Sequence, residues 1–248
     1  MALEQRPYTR TAESVGIDAG LRAYMLKVYN YMTTALLLTG LVAFFFGKAS
    51  IVTNDLGQIV GLTGIGNALF NSPLQWIVML APLGLVFYFS FKINTMSLST
   101  AQTTFWVFST LMGLSLASIF IVYTGASIAR VFFISSATFA AMSLYGYTTK
   151  RDLTALGGFL IMGLFGIIIA SIVNIFMQSS AMYFAISIIG VLIFVGLTAY
   201  DTQKIKNMYY AADSETQSGK KAIMGALRLY LDFINLFIML LRLFGQRR

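Results

Sequence analysis

The chain has 248 residues, of which 58% are hydrophobic and only 10% are charged, and its mean hydropathy of +0.78 excludes a soluble globular domain. It has no cysteine, which excludes disulfides and thiol catalysis, and no histidine, which removes the usual pH switch and the commonest metal ligand. The net charge of +8 is spread between apolar segments, which indicates membrane orientation rather than nucleic-acid binding. Any proton sensing must therefore rely on carboxylates.

Seven stretches are long and apolar enough to cross a membrane as helices, which satisfy their own backbone hydrogen bonds in lipid. A polar N-terminal tail, residues 1–23, precedes them. The predicted spans are residues 24–46, 74–91, 102–123, 128–147, 153–176, 181–205 and 222–244. The glycine-containing stretch from Gly47 to Ser72 is predicted to be a loop with a short interfacial or re-entrant piece. The sequence thus predicts one all-α polytopic membrane domain, residues 24–248, without internal repeats.

Basic residues predict the orientation of these spans. With seven full spans, most of them fall on the side of the N-terminal tail and of the loop between the sixth and seventh spans. The positive-inside rule therefore predicts a cytoplasmic N-terminus. A re-entrant last segment would strengthen the bias, because Arg242, Arg247 and Arg248 would return to the cytoplasm. The sequence leaves both arrangements open.

Two carboxylates, Asp201 and Asp232, lie inside predicted spans, whereas the other acidic residues fall in tails or loops. A charge in hydrocarbon costs about a few kcal/mol or more, so an ionisable residue in a membrane helix is a functional hypothesis. The midpoint of positions 201 and 232 falls in the polar loop 209–221, so antiparallel helices would bring both residues to one depth. Desolvation and like-charge repulsion would then make the pair share a proton and titrate in two coupled steps.

A structural alternative pairs each aspartate locally, Asp232 with Arg228 and Asp201 with Lys204. The sequence alone leaves this alternative open. For metal binding, the two carboxylates with Asn235 and backbone carbonyls form a sparse set, since calcium prefers about six to eight oxygen ligands. We expect only weak, transient calcium binding at Asp201 and Asp232, and no cofactor.

Three motifs surround the two aspartates. They are Phe194–Ile205 (FVGLTAYDTQKI), Leu227–Phe237 (LRLYLDFINLF) and Leu240–Gly245 (LLRLFG), with further similarity at Tyr145–Leu153 and Asn174–Phe176. Together they closely resemble the signature of the Bax inhibitor family of membrane proteins, in particular its bacterial subgroup of membrane-protease modulators, and this resemblance implies a place in the bacterial inner membrane. The resemblance implies a seven-helix bundle with the last helix at its centre.

The resemblance also implies a function. In the family, aspartates on the sixth and seventh helices form a pH-responsive pair that gates a calcium leak; by motif position these are Asp201 and Asp232. Some members use a basic residue near the cytoplasmic end of the second helix as a latch. Lys92 is the candidate here, although lysine lacks the bidentate fork of arginine. The expected function is a pH-regulated calcium or cation leak channel, and not an enzyme.

Two alternatives belong to other classes. Bacterial relatives include a modulator of a membrane-anchored ATP-dependent protease, and the polar N-terminal tail is a plausible handle for such a partner. An intramembrane aspartyl protease is a minor alternative, suggested by the Tyr200–Asp201 pair. Against it, Asp232 follows Leu-Tyr-Leu and not the Gly-x-Gly typical of such a protease site.

Overall fold

A computed structural model describes residues 8–55 and 58–248, with side chains described from residue 19 onwards. In chain order the elements are α1 (Tyr8–Ala49), β1 (Ile51–Thr53), β2 (Ile59–Leu62), α2 (Gly64–Phe70), α3 (Leu74–Lys92), α4 (Leu98–Leu116), α5 (Ile119–Val122), α6 (Gly125–Thr148), α7 (Thr154–Met177), α8 (Ser180–Asn207) and α9 (Glu215–Phe244). In this described part of the chain, seven helices have the length and apolarity to cross a membrane, α4 and α5 together forming one span. The predicted all-α polytopic fold is confirmed.

Helix α9 lies at the centre of the bundle. In its most apolar stretch 72% of the residues are buried, against 39% for α8, which is the next most buried span. It packs against α1, α4, α6 and α8. The outer helices present large apolar side chains on their outward surfaces, as expected where lipid is the solvent. The last helix is therefore the axis around which the other spans pack.

The last span is a single continuous helix. At 1.5 Å per residue, Glu215–Phe244 is about 45 Å long, enough to cross a bilayer completely. Beyond it, the chain pairs with the turn between α5 and α6: Thr124 N donates to Gln246 O (3.0 Å) and Arg248 N donates to Val122 O (3.0 Å). The structure therefore favours seven full spans over a re-entrant last segment. We call this end of the bundle the tail end, and the end with the α8–α9 loop, residues 208–214, the loop end.

Two helices extend beyond the apolar stretches that predicted them. Helix α1 begins at Tyr8 rather than at residue 24, and α9 begins at Glu215 rather than at residue 222. At the start of α9, Ser214 and Gln217 form a reciprocal capping box (Gln217 N to Ser214 Oγ, 3.2 Å; Ser214 N to Gln217 Oε1, 3.1 Å). Because polar residues can continue and cap a helix in water, hydropathy marks only the part of each helix that lies in lipid.

The stretch from Gly47 to Ser72 contains a small β-hairpin followed by α2. Strands β1 and β2 are antiparallel, with Ile51 opposite Leu62 and Val52 opposite Gly61. Gly66 packs so closely on the backbone of Ser50 that a side chain there would collide with it. This small unit lies at the tail end, away from the two aspartates.

Candidate functional site

The site forms where α8 and α9 pack against each other near the loop end. Gly225 faces Ile205, and a Cβ added to Gly225 would lie only 3.0 Å from Ile205 Cγ2. Asp201 is one turn before Ile205 on α8, and Asp232 is about two turns after Gly225 on α9, so each shares a face with its packing residue. Because Gly225 has no side chain, the faces of α8 and α9 that carry the two acids can approach closely.

The carboxyl groups of Asp201 and Asp232 face each other across this interface, close enough to interact. Asp201 is 9% exposed and Asp232 is 5% exposed. No N–H or hydroxyl donor of the described residues reaches the buried Oδ2 of Asp232. An ionised carboxylate only accepts hydrogen bonds, so a hydrogen bond between two carboxyl groups requires a proton on one of them. The two buried carboxyl groups are therefore candidates for sharing a proton.

One guanidinium lies beside the pair. Arg228 Nη1 is 3.5 Å from Asp201 Oδ1, and the Arg228 side chain is 40% exposed. Two carboxyls with one shared proton carry a single negative charge, which Arg228 balances. The cluster is therefore neutral with one proton and carries a net charge of −1 without it.

The local pairing alternative does not describe this arrangement. Within the described part of the chain, Arg228 pairs with Asp201 on the neighbouring helix and not with Asp232 on its own. Arg228 still acts on Asp232 through its charge, but without an ion pair. Lys204 contacts Tyr200 instead of Asp201: its Nζ is 3.5 Å from Tyr200 Oη and 5.5 Å from the centre of the ring.

The other proposed supporting residues lie apart from the acid pair. Asn235 Nδ2 donates to Leu231 O (2.8 Å), so this side chain bonds to its own helix. Lys92 ends α3 and is exposed, and it belongs to neither of the two salt bridges among the described residues. Instead, Lys220 Nζ donates to Asn94 O (3.1 Å) and links α9 to the end of α3. Sequence reasoning missed Lys220, because a lysine in a polar loop segment gives no signal of a specific partner.

Three consecutive polar residues of α8 contact three different neighbours. Asp201 faces α9, whereas Thr202 Oγ1 is 3.0 Å from Ser143 Oγ on α6. Gln203 accepts from Leu153 N (2.9 Å) and donates to Arg151 O (2.8 Å) in the α6–α7 turn. Successive residues of a helix point about 100° apart, which explains why these three side chains contact three different neighbours. The motif around Asp201 thus fixes the loop end of α8 on three sides.

The Thr202 contact continues to α1. Ser143 Oγ is also 2.6 Å from Tyr29 Oη, so one chain of hydroxyls connects α1, α6 and α8 next to Asp201. Sequence reasoning missed this role of Ser143, because its partners lie more than 50 residues away in the chain. For a metal ion the site is sparse: in the described residues no third histidine, cysteine or carboxylate joins the pair.

Comparisons with known proteins cover nearly the whole chain. A family model described as inhibitor of apoptosis-promoting Bax1 matches residues 21–248. The chain is 51% identical over 240 residues to an uncharacterized protein of Rickettsia prowazekii, covering 97% of this chain and 96% of that relative. It is 47% identical over 243 residues to the inner membrane protein YbhL of Escherichia coli K12, covering 97% and 99% of the two chains. Asp201, Asp232 and Arg228 all lie within these matched regions.

Proposed function

This chain belongs to the Bax inhibitor family of integral membrane proteins, and we propose that it is a pH-regulated cation leak of the bacterial inner membrane, with calcium as the transported ion. The observation that carries the proposal is the buried contact between Asp201 and Asp232, which joins α8 to the central helix beside Arg228. Intramembrane ionisable residues with named partners are characteristic of ion and proton pathways.

The shared proton keeps the gate closed. With it, the carboxyls hydrogen-bond across the interface and the cluster is neutral, which suits its burial. Without it, two unit charges about 4 Å apart repel by about 4 kcal/mol at an effective dielectric of about 20. A change of this size reverses a balanced two-state equilibrium. Loss of the proton therefore separates α8 from α9 at the loop end.

The opened pathway favours cations. A net negative charge on the cluster attracts cations, and water that enters the interface solvates both carboxylates. A site with only two carboxylates binds calcium weakly, which permits passage rather than storage. With the loop end on the cytoplasmic side, as the positive-inside rule predicts, a rise in cytoplasmic pH opens the leak.

The test measures calcium flux into liposomes that contain the purified protein, as a function of pH. Flux should rise with pH, and Asp201→Asn or Asp232→Asn should flatten this dependence. The double variant should resemble either single variant rather than their sum, because the two acids act as one unit.

Asp152→Asn is the matched control. Asp152 lies in the α6–α7 turn, where a hydrogen bond from the Thr154 hydroxyl and another from its N–H lower the pKa of Asp152 below its usual range. It therefore stays ionised around neutral pH, and its replacement should leave the flux profile unchanged. Single variants of the pair that keep the wild-type pH profile would rule out the proposed gate, and absence of flux at every pH would rule out the leak.

A second candidate is a membrane interaction protein that modulates a membrane-anchored ATP-dependent protease. It is favoured by α1, which begins at Tyr8, well before the apolar span that the sequence predicts from residue 24. Deleting residues 2–18 should leave calcium flux nearly unchanged and alter co-purification with such a protease. A deletion that abolishes flux would instead make this segment part of the transport unit.

A further inference from the structure

Helices α1 and α6 lie side by side around α9 but make few direct contacts. α1 packs on α4 and α9, whereas α6 packs on α8 and α9. The space between them contains two cavities, one of 540 Å³ towards the loop end and one of 590 Å³ towards the tail end. Both volumes fall in the range of about 300–1,000 Å³ that is usual for small-ligand sites. We call these cavities together the α1–α6 seam.

The loop-end cavity is lined mainly by apolar side chains. These include Met25, Leu26, Met32, Phe139 and Leu144. Three of its lining residues carry hydroxyl groups, and two of them, Tyr29 and Ser143, bond to each other at 2.6 Å. Because these two hydroxyls satisfy one another, this part of the wall can face hydrocarbon.

The tail-end cavity is also apolar and reaches the central helix. Phe233, Ile234 and Phe237 of α9 are among its lining residues, and Gly40 of α1 is another. A Cβ added to Gly40 would meet no atom within 4 Å. The missing side chain thus leaves open space rather than a close helix contact.

Each cavity has a basic residue at its outer end. Arg22 lines the loop-end cavity and Lys48 lines the tail-end cavity; both are exposed, and neither forms an ion pair with the described residues. About 39 Å of helix rise along α1 separates them, at 1.5 Å per residue. A bilayer with its headgroup regions is about 40–45 Å thick. The two cations are therefore spaced to meet the headgroups of opposite leaflets.

A second basic residue, Lys206, lies beside the loop-end cavity without lining it. Lys206 Nζ donates to the carbonyl of Tyr147 (2.8 Å) and lies 5.6 Å from the centre of its ring, and Tyr147 lines the same cavity as Arg22. Two cations at one apolar opening in a membrane match an anionic headgroup whose acyl chain enters the cavity.

We propose that the α1–α6 seam binds two phospholipids, one from each leaflet. One acyl chain fills each cavity, and the phosphates bind at Arg22 and at Lys48. The lipid at the loop end is anionic, because Lys206 adds to the charge of Arg22. This binding does not depend on whether the protein conducts ions.

Native mass spectrometry of the full-length protein in detergent, titrated with phosphatidylglycerol, tests the proposal. The wild-type protein should retain two lipids under activation that strips loosely bound ones. Ala140→Phe, at a residue of the loop-end cavity, and Gly40→Phe, in the tail-end cavity, should each lose one. Gly166→Phe is the matched control, since Gly166 is exposed on α7 with equally open space around it. It should keep both lipids.

A charge variant tests the headgroup contact separately. Arg22→Gln should weaken retention of the loop-end lipid about fivefold, because one basic residue near the membrane surface contributes about 1 kcal/mol. Arg151→Gln, at an exposed arginine of the same end outside the seam, should have no effect. Phosphatidylcholine should replace phosphatidylglycerol less readily at the loop end than at the tail end.

Two results would overturn the proposal. If the Ala140→Phe and Gly40→Phe variants still retain two lipids, the lipids bind elsewhere on the surface. Equal losses in Gly166→Phe or Arg151→Gln would show a general lipid shell without a defined site. Circular dichroism and size-exclusion chromatography check each variant for folding, and Ala140→Leu and Gly40→Leu give the same test with smaller side chains.

Discussion

The two ends of the bundle hold charged residues in opposite ways. At the loop end, Asp201 and Asp232 are buried against each other, with Arg228 as their only ion-pair partner among the described residues. At the tail end, Arg242 and Arg247 lie 5.2 Å and 6.0 Å from the centre of the Tyr183 ring. The buried charges of the described residues thus lie at the loop end, where two carboxyls face each other, whereas these two tail-end arginines contact an aromatic ring.

This difference indicates where pH can act. A hydrogen bond with Tyr123 raises the pKa of Arg247 above its already high ordinary value, so this residue stays charged at physiological pH. The backbone pairing of residues 246 and 248 with the α5–α6 turn does not titrate either. The contacts of the tail end therefore do not change with pH around neutrality, and the proposed gate places any pH-driven movement at the loop end.

The largest expected effect is in cysteine labelling, because the loop end and the tail end should lie on opposite sides of the membrane. Each labelling reaction should then occur from one side only. The chain has no native cysteine, so single cysteines can be labelled without background. Ala212→Cys in the exposed α8–α9 loop should react only with a reagent on the cytoplasmic side, and Gln246→Cys only with one on the opposite side. Ala212 is preferable to Ser214, which caps α9. Labelling of both cysteines from the same side would contradict seven full spans.

A smaller effect is expected from removing one arginine at each end. Arg228→Gln removes the positive charge beside the acid pair, so full ionisation becomes less favourable and the rise in flux should move to higher pH. The shift should be about one pH unit, since Arg228 is partly exposed and solvent screens its charge. Arg242→Gln should leave the midpoint of the flux profile in place. A shift of similar size in both variants would remove the distinction between the two ends.

The sequence was sufficient to predict the fold class and the family. Seven apolar stretches predicted the spans, because lipid allows few other structures. The motifs around Asp201 and Asp232 predicted the Bax inhibitor family, which the comparisons confirm. The symmetry of the α8–α9 hairpin also led us to expect that the two acids lie at one depth, and both are buried where α8 packs on α9.

Other features depend on side-chain direction and on distant partners, which hydropathy does not encode. The ion pair from Arg228 to Asp201 crosses between helices, whereas local spacing suggested Asp232 as the partner. The hydroxyl chain through Tyr29, Ser143 and Thr202 joins three helices that are far apart in sequence. The early start of α9 depends on the capping box at Ser214, within a segment that polarity alone marked as a loop. Each of these features can be recognised only once the packing of the helices is known.

The central claim is that Asp201 and Asp232 share one proton, and infrared difference spectroscopy of the protein in membranes tests it directly. The wild-type protein should show a protonated carboxyl band that disappears over the pH range in which calcium flux rises. In Asp201→Asn and in Asp232→Asn this band should be absent at neutral pH, because the remaining carboxylate and Arg228 already form a neutral cluster; Asp152→Asn should keep it. A band that persists unchanged in both single variants, or no protonated carboxyl in the wild-type protein at any pH below the rise in flux, would contradict the shared-proton gate.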